Sequence, residues 1–216
     1  MKKLTLLLVG PTIMIFIGLI ICKSVLITFA LFYSWLLFVP LFSSIRNKQQ
    51  KFNLKNQFSR QSIVVGLISG VISLLAIYGA VTVLKDTVFD LAALRQLLMD
   101  WNFTGDKVIW LVLVLIFINP FLEELYWREF MHKRLESKVS IAKTVIITSF
   151  FYSLYHLVSL IFIFTFPFNF IAVIPVFLAG LLWGYFRYKL NSITAPIVSH
   201  ILADLGIMLV YLSYIL

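Results

Sequence analysis

The sequence predicts an all-α polytopic membrane protein, a bundle of about seven transmembrane helices around an intramembrane polar site. Three observations carry that prediction. The chain of 216 residues is 62% hydrophobic, with a mean hydropathy of +1.02, whereas soluble domains hold about 45–50% apolar residues. Such a chain lacks the polar surface to cover a water-facing globule. Its apolar residues also fall in runs of membrane length, and in lipid only a helix or a closed barrel satisfies its own backbone. Finally, the alternating pattern over about ten residues that marks a barrel strand is absent from the sequence.

The spans follow in order. Leu4–Cys22 comes after Lys2 and Lys3. It is too long for a signal-peptide core of about 7–15 residues and is followed by no clear small-x-small cleavage pattern, so it reads as a retained first helix. Cys22 closes this run and is expected to pack. As the sole cysteine it excludes an intrachain disulfide and a thiolate metal cluster. Val25–Ile45 and Ile63–Leu84 are the second and third spans. Val88–Met99 then reads either as an ordinary connector or as a short amphipathic helix on the membrane, with Leu91, Leu94 and Leu98 on one face. Val108–His132 is the fourth span, and its Asn119-Pro120 step predicts a local kink because proline removes a backbone hydrogen bond. Thr144–Phe166, Phe168–Tyr188 and Ile193–Leu216 complete the set. Pro175, Gly180, Gly184 and Pro196 fit bends or close helix packing. Residues 1–216 thus read as one transmembrane domain without internal repeat or low-complexity tract.

Charge sets the topology. The net charge of +9 falls mostly in the connections, which argues for membrane orientation rather than for nucleic acid, and no nucleic-acid partner is expected. Arg46, Lys48, Lys51, Lys55 and Arg60 form a basic loop without an acid, and Arg128, Lys133, Arg134, Lys138 and Lys143 outnumber Glu129 and Glu136 in another. Arg187 and Lys189 close the sixth span. The loop Lys85–Lys107 carries Asp86, Asp90, Asp100 and Asp106 instead. The positive-inside rule places the N-terminus in the cytoplasm and the C-terminus outside. His132, between Met131 and Lys133, is expected to be solvated at the interface.

Ionisable groups interrupt this apolar pattern where they are least expected. A charged side chain at the bilayer centre costs about 2.5–3.5 kcal/mol on insertion scales, so intramembrane acids and histidines point to a site. Glu123-Glu124-x-x-x-Arg128 comes first. Neighbouring helix residues lie about 100° apart, so the two carboxylates point different ways. Glu124 and Arg128 have the favoured i, i+4 order for an ion pair. Glu123 is left without a local cation, and a poorly solvated carboxylate is suited to act as a general base. Tyr152-x-x-x-His156 in the fifth span and His200-x-x-x-Asp204 in the last each place two polar rings or groups on one helix face. Asp204 can fix the tautomer of His200, or both can face a developing oxyanion if the Asp is protonated.

Three helices with such pairs at similar depth converge on one cavity more readily than they scatter onto lipid. Two chemistries fit. Glu123, His156 and His200 could ligate Zn²⁺ as a two-His-one-carboxylate set, although the His-Glu-x-x-His helix is missing. Alternatively no cofactor is required: Glu123 with His156 activates water, and His200 with Asp204 stabilises the tetrahedral oxyanion. Both predict hydrolysis of an acyl bond within the membrane. A proton-coupled transporter would use the same acids, but inverted repeats and paired broken helices are lacking.

These three motifs in this order, with the lead-in from Gly184 to His200, resemble the CAAX protease and bacteriocin-processing family, also called the Abi family, over about residues 107–210. Residues 1–106 are helices of unassigned role. The resemblance implies an intramembrane endopeptidase of the CAAX prenyl protease type, described both as a metalloendopeptidase and as a metal-free glutamate enzyme. By it, Glu123, His156, His200 and Asp204 are catalytic, and Glu124, Arg128 and Tyr152 support them. Tyr152 stands where Phe is usual, and Asp204 where Asn is frequent. Expected partners are a membrane-associated peptide or protein substrate and the lipid bilayer, in a bacterial plasma membrane. The alternative within the family is a non-catalytic bacteriocin self-immunity or scaffold protein.

Overall fold

The structure, a computed structural model, describes residues 2–46, 58–106 and 108–216. The basic-loop residues Lys48, Lys51 and Lys55 lie outside the described residues, as does Lys107. Among the described residues the fold is wholly helical, with seven helices long and apolar enough to cross a membrane. These are α1 (Lys3–Ile21), α2 (Val25–Ile45), α3 (Arg60–Val88), α5 (Val108–Glu136), α6 (Ile141–Ile163), α7 (Phe168–Leu190) and α8 (Thr194–Ile215). The short helix α4 (Leu91–Asp100) sits between α3 and α5 and is capped by the Asp90 side chain on the Ala93 amide.

The centre of the bundle is α5. Every residue from Leu122 to His132 is buried. A helix buried on all sides must be enclosed by neighbours. The Tyr126 hydroxyl donates to the Leu7 carbonyl of α1 at 2.6 Å and accepts from Trp35 Nε1 of α2 at 3.0 Å. On other sides α5 meets α6, α7 and α8. Its backbone widens into π turns at Val114–Ile118 and Leu125–Met131, on either side of Asn119–Glu124. The first of these precedes Pro120, which has no N–H to donate, and a widened turn absorbs that interruption without breaking the span.

Peripheral packing is looser. Helix α3 lies chiefly along α8, in contact through Gly66 and Gly70 on α3 and Gly206 on α8. A Cβ at Gly70 would come within 2.7 Å of Leu202 and 3.0 Å of the Ser199 Cα, so the missing side chains set the approach. The remaining α3 surface is apolar and exposed, with Ile68, Ile72 and Leu75 outward, as suits a helix facing lipid. Helix α4 is the amphipathic helix of the Val88–Met99 segment, but its apolar face is not spread on a membrane surface. Leu94 is buried with Val88 and Phe89, against Phe164 and Phe168.

Three sequence expectations are corrected here. Helix α5 runs to Glu136 rather than His132, so His132 is buried, bonded to Thr148 Oγ1 of α6 at 3.0 Å. Glu129, expected in a cytoplasmic loop, is also buried. It pairs with Arg187 of α7 at 2.9 Å and with Lys133. Cys22, expected to pack, is exposed, because α1 ends at Ile21 and Cys22 opens the connection to α2.

Candidate active site

The site forms where α5, α6, α7 and α8 meet, around the imidazole of His200. Trp183 of α7 stacks on that ring, with centroids 4.2 Å apart and planes 20° apart. Trp183 is itself held by a 3.0 Å hydrogen bond to Ser199 Oγ. The two ring nitrogens face different acids. Nδ1 lies 3.1 Å from Glu124 Oε1, a hydrogen bond in which the nitrogen donates to the carboxylate. Nε2 lies 3.9 Å from Glu123 Oε2, 3.6 Å from Asp204 Oδ1 and 3.4 Å from the Tyr152 hydroxyl.

The adjacent glutamates therefore both reach one histidine, although their Cα positions differ by about 100° around the helix. They can do so because α5 is enclosed and both directions are interior: Glu123 is 2% exposed and Glu124 fully buried. Glu124 divides its oxygens, with Oε2 3.2 Å from Arg128 Nε. The Arg128 guanidinium lies 4.9 Å from the Tyr152 ring centroid and 5.8 Å from that of Trp183. These aromatic faces add cation–π attraction in a dry setting. Glu123 differs in kind. Its Oε2 is buried with no hydrogen-bond partner, which leaves a strong acceptor uncommitted.

Asp204 does not hold His200 at hydrogen-bond distance. Its Oδ2 instead accepts from Asn119 Nδ2 at 3.2 Å, so the bracing of the imidazole comes from Glu124 rather than Asp204. His156 stands apart. Its Nδ1 donates to the Tyr152 carbonyl of its own helix at 2.9 Å. Its ring lies against those of Tyr152 and Tyr155, at 4.6 and 4.4 Å. Among the described residues no ion pair joins His156 to Glu123. The structure thus brings together Glu123, Glu124, Arg128, Tyr152, His200 and Asp204, and sets His156 beside them, against the rings of Tyr152 and Tyr155.

A zinc site from Glu123, His156 and His200 would need the three side chains to converge. Among the described residues no group of three His, Cys, Asp or Glu side chains is arranged to hold a metal ion. Both Nδ1 atoms are held, by Glu124 and by a carbonyl, as those of ligating histidines usually are, but the three side chains are not gathered as a zinc set requires.

Residues 105–206 match the family described as Type II CAAX prenyl endopeptidase Rce1-like. This segment belongs to that family. No curated protein and no solved structure matches the chain. The Rce1-like segment takes in α5, α6 and α7 and most of α8, and with them every site residue named so far. Helices α1 to α4 precede it, yet α2 reaches the site region. A groove of about 390 Å³ runs lengthwise between α2 and α5, walled by Leu26, Phe29, Leu37, Val114 and Leu122. Tyr33 of α2 also lines it. The Tyr33 hydroxyl is buried without a hydrogen-bond partner, within electrostatic reach of Glu123 and Asp204.

Several of these residues escape a reading of the sequence. Trp183, Tyr155 and Tyr33 are aromatic residues in apolar runs, where nothing separates a packing ring from one that meets a site. Asn119 is visible beside Pro120, but as part of a kink rather than as the partner of a residue 85 positions away.

Proposed function

We propose that the chain is an intramembrane endopeptidase that hydrolyses a peptide bond of a membrane-anchored peptide, using water activated by Glu123. One observation carries this reading: the buried, uncommitted Glu123 oxygen beside an imidazole braced from its far side by Glu124. The Rce1-like match supports the reaction class.

The chemistry follows from the geometry. Water placed against Glu123 gives its proton to the carboxylate as the oxygen adds to the scissile carbonyl. The new carboxylic acid then passes that proton to the amide nitrogen as the C–N bond breaks, so Glu123 is base and then acid. Glu124 and Trp183 fix the His200 ring, leaving Nε2 toward the reacting groups. Arg128 balances Glu124, and its removal from that carboxylate would disturb His200 in turn. In this reading the site works within the plasma membrane of a bacterium, with the N-terminus in the cytoplasm.

The test is cleavage by purified, detergent-solubilised protein of a library of peptides carrying lipid anchors. Glu123→Gln, which keeps size and shape, should lower kcat by about 10²–10⁴-fold while the variant remains helical and monodisperse. Wild-type turnover in that variant refutes the role of Glu123. A chelator arm separates the two chemistries: unchanged cleavage supports the metal-free route, and loss restored by Zn²⁺ makes the protein a metalloenzyme. Equal inertness of wild type and variant across the library favours the non-catalytic immunity role.

A further inference from the structure

A hydrolysis through Glu123 needs a hydrogen-bond donor for the oxyanion, and the acid at position 204 is ill suited to the task. Ionised, Asp204 is an acceptor only. Its Oδ2 already takes an N–H of Asn119. The Tyr152 hydroxyl faces His200 Nε2, and His200 Nδ1 is committed to Glu124. Arg128 lies beyond Glu124, over the faces of Tyr152 and Trp183.

Tyr155 is uncommitted. It is 3% exposed, and its hydroxyl makes no hydrogen bond of good geometry. Leaving a buried polar group unpaired costs about 1–3 kcal/mol, so such a group marks strain or use. The ring is held on several sides. Trp127 is stacked at 6.2 Å, Phe32 lies at 5.1 Å and Tyr152 at 5.5 Å edge-on. The ring also lies against that of His156, at 4.4 Å, and its hydroxyl is within electrostatic reach of Glu123.

Resting on the endopeptidase reading, we propose that Tyr155 is a further catalytic residue, whose hydroxyl donates a hydrogen bond to the scissile carbonyl oxygen as it becomes an oxyanion. The placement couples this donor to the base. In the resting site the hydroxyl has no well-placed acceptor and feels the charge of the Glu123 carboxylate. When Glu123 accepts the water's proton, that carboxylate ceases to be an anionic acceptor, and in the same step the carbonyl oxygen gains negative charge. A phenolic O–H rotates freely about its C–O bond, so it turns to the oxyanion with the ring still. No bond to Tyr155 forms or breaks, and the proton stays on its oxygen. A donor already in place and already dry is the kind that contributes most to an acyl-transfer transition state.

The experiment compares wild type, Tyr155→Phe, Tyr126→Phe and Glu123→Gln on the lipid-anchored library peptide that wild type cleaves fastest. Tyr155→Phe keeps the ring and its neighbours. It should lower kcat by about 10²–10³-fold, as loss of one oxyanion donor does, with KM within about threefold. A hydrated trifluoromethyl ketone built on the same peptide, which mimics the tetrahedral adduct, should bind more weakly by the same factor as kcat/KM falls. Tyr126→Phe removes a buried hydroxyl bonded to α1 and α2, and should leave kcat unchanged. If Glu123→Gln is inactive but Tyr155→Phe keeps wild-type kcat, or loses only KM, the Tyr155 role is overturned and the endopeptidase reading stands. If wild type cleaves nothing, or Glu123→Gln cleaves as well as wild type, both are overturned together.

Discussion

Glu124 shares its carboxylate between a guanidinium and an imidazole, and that division determines what the loss of either partner does. With Arg128 gone, a fully buried acid keeps only a histidine contact. Removing one member of a buried ion pair typically destabilises by about 3–5 kcal/mol, while replacing both can be nearly neutral. Arg128→Met should therefore lower the thermal unfolding midpoint in detergent markedly, and Arg128→Met combined with Glu124→Gln should recover much of the loss. A single variant as stable as wild type would show that the pair carries little. The Glu124–Arg128 contact is legible in the sequence, since i, i+4 spacing on one helix fixes it. The Glu124–His200 contact is not, because 76 residues separate the two and their meeting depends on how α8 packs. The same limit explains why Asp204 looked like the partner of His200: it is the acid nearest in sequence, and a more distant one occupies the nitrogen.

At the level of elements, the seven spans were readable because run length and hydropathy are properties of one helix at a time. The inner end of α5 was not. Glu129, His132 and Lys133 look like a loop when read along the chain, and they are tolerated inside because Arg187 of α7 and Thr148 of α6 meet them. Close helix contacts also depend on a partner. Glycines at 66 and 70 have the small-xxx-small spacing, and α8 lies against them. Gly79, on the same helix, has nothing within 4 Å of a built Cβ. Gly70→Leu should force α3 from α8 and lower stability in detergent by about 1–3 kcal/mol, the usual range for overpacking. Gly79→Leu should have no such effect. Equal midpoints for the two variants would mean that α3 is not held by this contact.

For the whole molecule, orientation can be read without engineering a probe. Cys22 is the sole cysteine and lies exposed in the α1–α2 connection, which the positive-inside rule predicts to lie outside the cell. A membrane-impermeant maleimide should label intact cells at this residue, and labelling that appears only after lysis would invert the topology. Charge alone predicts an orientation for this labelling to test, whereas the approach of α2 to the site was not legible, since its run carries no acid or histidine. Yet the groove lined by Tyr33 and by Leu122, the residue before Glu123, has α2 as one wall. Its α2 lining runs from Leu26 to Phe38, about 18 Å at the helical rise, so it extends along the flank of the bundle rather than opening at one end. A substrate that arrives by this route never leaves two dimensions. Its relevant concentration is then a mole fraction in the amphiphile phase, not a molarity in the tube. Adding detergent at constant enzyme and peptide should slow cleavage in proportion to the dilution of peptide among micelles, and a rate indifferent to detergent would mean that the peptide comes from water.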